Sequence, residues 1–165
     1  MKKSKKSPHP RYETPYGKQL QFDWKEDITM TNKYGEVFNF NIFSAILSSS
    51  RFHNFEYSKN KTRMYVERCL VKTFKKIRGV TEEILTDNMS SIVNHNTHKF
   101  VPEFITFCKN MGVKPKHCKV QKCETKGKVE SQNRFISWLI PYNNEFEKEK
   151  DLIEIIETIT KKVNQ

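Results

Sequence analysis

Arginine is scarce in this chain. Only six of its 30 basic residues are Arg, and 24 are Lys. Lys is a flexible point charge suited to phosphate, whereas the planar fork of Arg is better at reading base edges. The scarcity argues against strong sequence-specific reading of nucleic acid. Long apolar runs are also missing: none approaches the ~18 residues that cross a bilayer, so no membrane partner is expected. The start Met1-Lys2-Lys3-Ser4-Lys5-Lys6 is positive, but no apolar stretch follows it, and a secretory signal is not expected. Cysteine is limited to Cys69, Cys108, Cys118 and Cys123. Cys118 and Cys123 are close, with His117 adjacent, but structural zinc usually takes a second short-spaced pair, so reduced intracellular thiols are expected. There is no internal repeat and no heptad array.

Lysine is what the chain has in excess. The 30 basic residues stand against 19 acidic ones, a formal charge of +11. Such a balance favours a polyanionic partner, unless the charge serves only solubility. The 165 residues suffice for one ordinary domain. Residues 1–17 are basic, contain Pro8, Pro10 and Pro15, and are expected to form an arm or linker.

From Lys18 the pattern changes. Leu20, Phe22 and Trp24 alternate with Gln21 and Asp23, the period-two signature of a strand. Thr31-Asn32-Lys33-Tyr34-Gly35 reads as a turn, Val37–Phe43 as a second strand, and His53–Tyr57 as a third. Asn60 is the expected cap of a helix with the stripe Val66, Cys69, Leu70, Phe74 and Ile77, ended by Gly79. Glu83–Thr86 forms a short strand running into Asp87-Asn88. Pro102 suits the first position of a helix closed by Gly112. A short strand within 113–120 and a helix over about 127–140 are expected next. A final helix carries Leu152, Ile155, Ile156, Ile159 and Val163. Three strands followed by alternating strands and helices predict an α/β fold with a mixed sheet and flanking helices.

Three acidic residues stand out against this frame. Asp23 sits inside a strongly β segment, where Asp is disfavoured unless it faces water or does chemistry. Asp87 ends a strand, an ordinary turn signal but also the place where sheet enzymes put catalytic groups. At 100° per residue, Val129, Phe135, Ile136, Leu139 and Ile140 cluster on one side of the late helix. Glu130 points away from them with Lys126, Arg134 and Ser137, on a face that is either solvated or holds phosphate. Lys114, Lys116, Lys119, Lys122, Lys126 and Lys128 make the approach to this helix strongly basic. Three carboxylates brought together would repel one another, and divalent metals with hard oxygen ligands would cancel that charge. Two such ions can activate an attacking oxygen and stabilise a leaving one in phosphoryl transfer.

The stretches Gly17-Lys18-Gln19-Leu20-Gln21-Phe22-Asp23-Trp24, Thr86-Asp87-Asn88-Met89 and Lys126-Gly127-Lys128-Val129-Glu130-Ser131-Gln132-Asn133-Arg134 resemble the acidic-triad (DDE) transposases and retroviral-type integrases. The IstA-type insertion-sequence transposases look nearest, and Pro141-Tyr142-Asn143 fits that group. The resemblance covers roughly residues 15–145. It implies a ribonuclease H-like core over 18–145, with 146–165 a C-terminal helix. It implies that Asp23, Asp87 and Glu130 bind two Mg²⁺ or Mn²⁺ ions. The implied activity is hydrolysis at an element end, then attack of the exposed 3′ hydroxyl on target DNA. The implied DNA contacts are Asn133 and Arg134, beside which the basic run read above adds Lys119, Lys122, Lys126 and Lys128 as expected phosphate contacts. The implied partners are element-end and target DNA, further copies of the chain on that DNA, and an IstB-type ATPase helper. The implied setting is the bacterial cytoplasm, at the nucleoid.

The acidic residues are spaced by 64 and 43 positions. The second interval exceeds that of retroviral-type enzymes and suggests an insertion around Asn94-His95-Asn96. Full transposases of this type carry a helix-turn-helix region and further sequence after the core, so a split, truncated or excised core is expected. A ribonuclease H-like nuclease without strand transfer, and an inactive DNA-binding remnant, remain open as alternatives.

Overall fold

The computed structural model describes residues 17–48, 50–87, 89–118 and 126–165, with side chains of the third helix described from residue 132 onward. Strand β1 (Gln19–Thr31) pairs antiparallel with β2 (Val37–Leu47), from Leu20 opposite Leu47 to Thr31 opposite Val37. The ladder is interrupted between Lys25 and Ile28, where Asp27 adopts φ 55° and its N–H donates to Asn41 Oδ1 at 3.1 Å. That irregularity lets β1 run on past the functional region without breaking the sheet. Strand β3 (His53–Ser58) extends β2 antiparallel; β4 (Glu83–Thr86) and β5 (Lys114–His117) follow on the other side of β1, all in parallel. The sheet order is β3-β2-β1-β4-β5.

Alternation then sorts side chains to two faces. Leu20, Phe22, Trp24, Phe43 and Leu47 enter one core with Val66 and Leu70 of helix α1 (Arg63–Ile77) and Phe104 and Cys108 of α2 (Pro102–Met111). Phe40, Ile42 and Phe55 enter a second core on the other face. There they meet Phe135 and Leu139 of α3 (Lys126–Leu139) and Leu152, Ile156 and Ile159 of α4 (Glu149–Val163). The Phe55 and Phe135 rings stack with centroids 4.3 Å apart. Each of these buried apolar side chains stabilises the fold by roughly 1.5–3 kcal/mol.

Some boundaries differ from the sequence expectation. Helix α1 is capped by Thr62, not Asn60, because the Asn60 N–H and C=O are both taken by the Ser58 hydroxyl. The left-handed residue that ends it is Arg78 (φ 60°), and Gly79 supplies only the N–H that reaches Phe74 O. Ile140 leaves the apolar side of α3: the helix stops at Leu139, the chain enters a 3-10 turn, and Ile140 is 62 % exposed. Gly112 does close α2, at φ 77°. The polar stretch after Val93 is a tight turn bridged by Val93 and Phe100, with Asn94 Oδ1 accepting the N–H groups of Asn96 and Thr97.

The turn between β1 and β2 is held from outside. Asn32 is buried; its Oδ1 accepts from the N–H of Tyr34 and Glu36, and its Nδ2 donates to Glu147 O at 2.7 Å. Asn143 Oδ1 accepts the Thr31 N–H at 2.8 Å. The Pro141-Tyr142-Asn143 segment thus clamps the chain leaving α3 to the far end of the hairpin.

Candidate active site

Phe22 and Trp24 both point into the α1–α2 core, so Asp23 stands on the opposite face, half-buried. It does not simply face bulk water. Its Oδ1 accepts the Trp24 N–H at 2.8 Å, which fixes one carboxylate oxygen. Its register partner across β2 is Ser44, on the same face. Gln132 of α3 donates to Ser44 Oγ at 3.4 Å, so the helix that begins with the Lys-Gly-Lys-Val-Glu motif docks beside Asp23.

Strands β1 and β4 pair with a constant offset of 64 residues: Gln19 with Glu83, Leu20 with Ile84, Gln21 with Leu85. Continued two residues past the last pair, that register sets Asp23 level with Asp87. Neighbouring strands lie about 4.8 Å apart, so the two carboxylates emerge side by side from adjacent parallel strands. Asp87 is exposed, just beyond the end of β4. Carboxyl ends of parallel strands are where sheet folds commonly bind ligands. A small cleft of about 140 Å³ adjoins Asp23, lined by Trp24, Glu26, Lys61, Met89 and Ser91, with Lys61 ion-paired to Glu26.

The polar character continues below the pair. Gln21 is buried and donates to Cys118 Sγ at 3.9 Å. Glu83 is buried, accepts from Gln19 at 3.3 Å, and pairs with Lys116 at 2.5 Å. The Lys116 ammonium holds the Glu83 carboxyl below its ordinary range. Cys118 is disulfide-bonded, not the reduced thiol expected from the sequence, and the His117 ring stacks on Phe100 at 4.2 Å.

The remaining predicted residues divide as follows. Glu130, Lys126 and Lys128 lie on the backbone of α3, but their side chains are outside the described residues, as are Lys119 and Lys122 altogether. Asn133 and Arg134 are exposed on α3. Among the described residues no three His, Cys, Asp or Glu cluster as a metal site. Gln132 and Ser44 were not singled out from sequence. The Gln132 signal was present inside the third motif, but its partner is 88 residues away.

The integrase core domain family matches residues 17–123, a span that includes Asp23 and Asp87. The chain belongs to the integrase core domain family. Among curated relatives of this integrase-type core, the transposase for insertion sequence element IS232 of Bacillus thuringiensis subsp. berliner is 32% identical over 160 residues, 94% of this chain and 37% of the relative. The transposase for insertion sequence element IS21 of Pseudomonas aeruginosa is 29% identical over 130 residues, 76% of this chain and 33% of the relative. The chain thus spans well under half the length of these relatives. Among solved structures, the catalytic core domain of BIV integrase superposes with a TM-score of 0.63 at 14% identity, covering 87% of this chain and 81% of that one. The HTLV-2 integrase catalytic core domain in complex with magnesium gives 0.60 at 16% identity, covering 87% and 83%. These likenesses show the ribonuclease H-like fold that the resemblance implied, and the mixed sheet with flanking helices expected from the strand order. No helix among the described residues is long and apolar enough to cross a membrane.

Proposed function

We propose that this chain is the catalytic core of a DNA transposase. It would hydrolyse a phosphodiester at an element end, leaving a 3′ hydroxyl, and direct that hydroxyl at a target phosphodiester. The new P–O bond forms as the target's own 3′ oxygen leaves. The observation that carries this reading is the level register of Asp23, inside β1, with Asp87, just past the carboxyl end of β4, and α3 docked alongside through Gln132 and Ser44.

The donor chemistry fits divalent metal. Asp23 and Asp87 offer hard oxygens, and like charges at strand spacing call for a cation between them. Glu130, in the first turns of α3, is assigned as the third ligand. Two Mg²⁺ or Mn²⁺ ions held there would neutralise charge on the scissile phosphate and lower the barrier at both reacting oxygens. The Trp24 N–H keeps Asp23 oriented. Lys119, Lys122, Lys126, Lys128, Asn133 and Arg134 are assigned to the DNA backbone. The short relatives-to-chain overlap leaves room for element-end recognition elsewhere. An IstB-type ATPase, further copies of the chain, and chromosomal DNA at the nucleoid are the proposed partners.

The test is a strand-transfer assay on a pre-cut oligonucleotide in Mn²⁺ at high DNA concentration, beside calorimetric titration of Mg²⁺ into the wild type and Glu130→Gln. Joined product that is lost in Glu130→Gln, with weakened metal binding, is the expected result. Hydrolysis without joined product would mean a nuclease, and DNA binding without cleavage an inactive remnant.

A further inference from the structure

A second polar cleft, of about 410 Å³, opens between the β2–β3 connection, α3 and the end of α4. Its lining includes Arg51, His53, Arg134 and Asn164. His53 is the first residue of β3 and only 2 % exposed, with its ring stacked parallel on Phe55. Neither ring nitrogen has a hydrogen-bond partner, although buried polar groups normally do. The backbone here is held firmly: the main-chain N–H of His53 donates to Asn164 Oδ1 at 2.8 Å, and Asn164 Nδ2 donates to the main-chain carbonyl of His53 at 2.7 Å. His53 lines the cleft, and both of its ring nitrogens are buried and unused.

Two cations share that cleft. Arg51 and Arg134 are exposed, and both act electrostatically on the imidazole. Burial first, and then the Arg134 and Arg51 charges, depress its pKa to about 4. Among the described residues neither guanidinium pairs with a carboxylate. Two guanidinium forks without a carboxylate partner among the described residues, Arg134 lying 6.0 Å over the Trp138 ring, line one cavity with the buried imidazole in its wall, and such forks match the acceptor oxygens of a phosphate. A carboxylate would use the forks equally well. Phosphate is favoured because Arg134 lies one turn beyond Glu130, about 6 Å along the same helix.

We infer that Arg51, His53 and Arg134 form a phosphate-binding site that takes a backbone phosphate of a DNA strand running along α3. The choice of phosphate over carboxylate and its assignment to DNA rest on the proposed function; an anion site at this cleft does not.

The test follows the imidazole resonances of His53 by NMR in the full chain, with inorganic phosphate as the first probe. A saturable shift is expected, with the His53 titration moving upward from about 4 as the bound anion favours the imidazolium. Arg51→Gln, at an exposed position, should weaken phosphate binding at least tenfold without moving the unfolding midpoint. A short DNA duplex in EDTA, which prevents cleavage, should move the same resonances. No shift with phosphate would overturn the site. A shift with phosphate but none with a duplex that binds by anisotropy would overturn the DNA assignment and leave the transposase reading intact. A duplex that fails to bind even at low salt would count against the transposase reading, while the phosphate titration would still decide the site.

Discussion

The sheet face that carries Asp23 is divided into two unlike halves. Over β2 and β3 it is aromatic and covered: Phe40, Ile42 and Phe55 lie beneath Phe135, Leu139, Leu152 and Ile156. Over the first part of β1 and over β4 and β5 it is largely polar, with Gln21, Asp23, Glu83 and Lys116 around Leu85. The same alternation built both halves. The first anchors the helix on which Glu130 sits, and the second sets the Asp23 carboxylate beside Asp87, which lies just past the end of β4. Stability and proposed chemistry are therefore separable by mutation, half by half.

The sharpest break of that division is Phe135→Ala. Removing a fully buried ring stacked on Phe55 should cost about 3–5 kcal/mol of stability, read as a fall in the denaturation midpoint. An unchanged midpoint would mean the covered half is not what anchors α3. On the polar half, Asp23→Asn should shift the unfolding free energy by less than about 1 kcal/mol. It should nevertheless cut DNA cleavage at least about a hundredfold, some 2.7 kcal/mol of barrier. Equal losses of stability and cleavage would erase the distinction.

Smaller effects refine it. Wild-type DNA affinity should fall with salt at a slope of roughly −2 to −4, and Arg134→Ala should reduce that slope by about one. A salt-independent affinity would remove the backbone contacts from the picture. Smallest is the Glu83–Lys116 pair. Lys116 depresses the Glu83 pKa, so the pair's stabilisation is present above the unfolded carboxylate range and is lost as pH falls through the folded value. Lys116 is half exposed, so Lys116→Ala should cost only about 0.2–1 kcal/mol at neutral pH, and that cost should vanish in acid. Parallel urea titrations at neutral and acid pH check both points.

Much of the frame was legible in the chain. The alternation of Leu20, Phe22 and Trp24 specified β1, and the spacing of Leu152, Ile156, Ile159 and Val163 specified the covering face of α4, because both signals are local. Pro102 and Gly112 bounded α2 for backbone reasons that need no tertiary partner. Asn32 was readable as a turn residue but not as a buried hub, since its partner Glu147 is 115 residues away. Arg78, with no glycine-like signal, took the left-handed position beside an available glycine. For the site, each carboxylate alone was an ordinary polar residue. It was the resemblance of three motifs that joined them, and the cleft at His53 drew on three distant segments that no local pattern connects.

The parallel pairing of β1 with β4 has a further consequence for how this core can change. The interval from Asp23 to Asp87, an offset of 64 positions, includes β2, β3, α1, β4 and their connections. None of that length sets the separation of the two carboxylates; the backbone ladder does. Lengthening a connection in the interval costs only about 0.6 kcal/mol for each doubling of a flexible loop, and leaves the alignment untouched. A single-residue slip between β1 and β4 would move Asp23 out of line with Asp87 at once. The core is thus tolerant of insertions between its motifs and intolerant of them within the paired strands. That tolerance would let diverged chains keep one reaction while their loops drift.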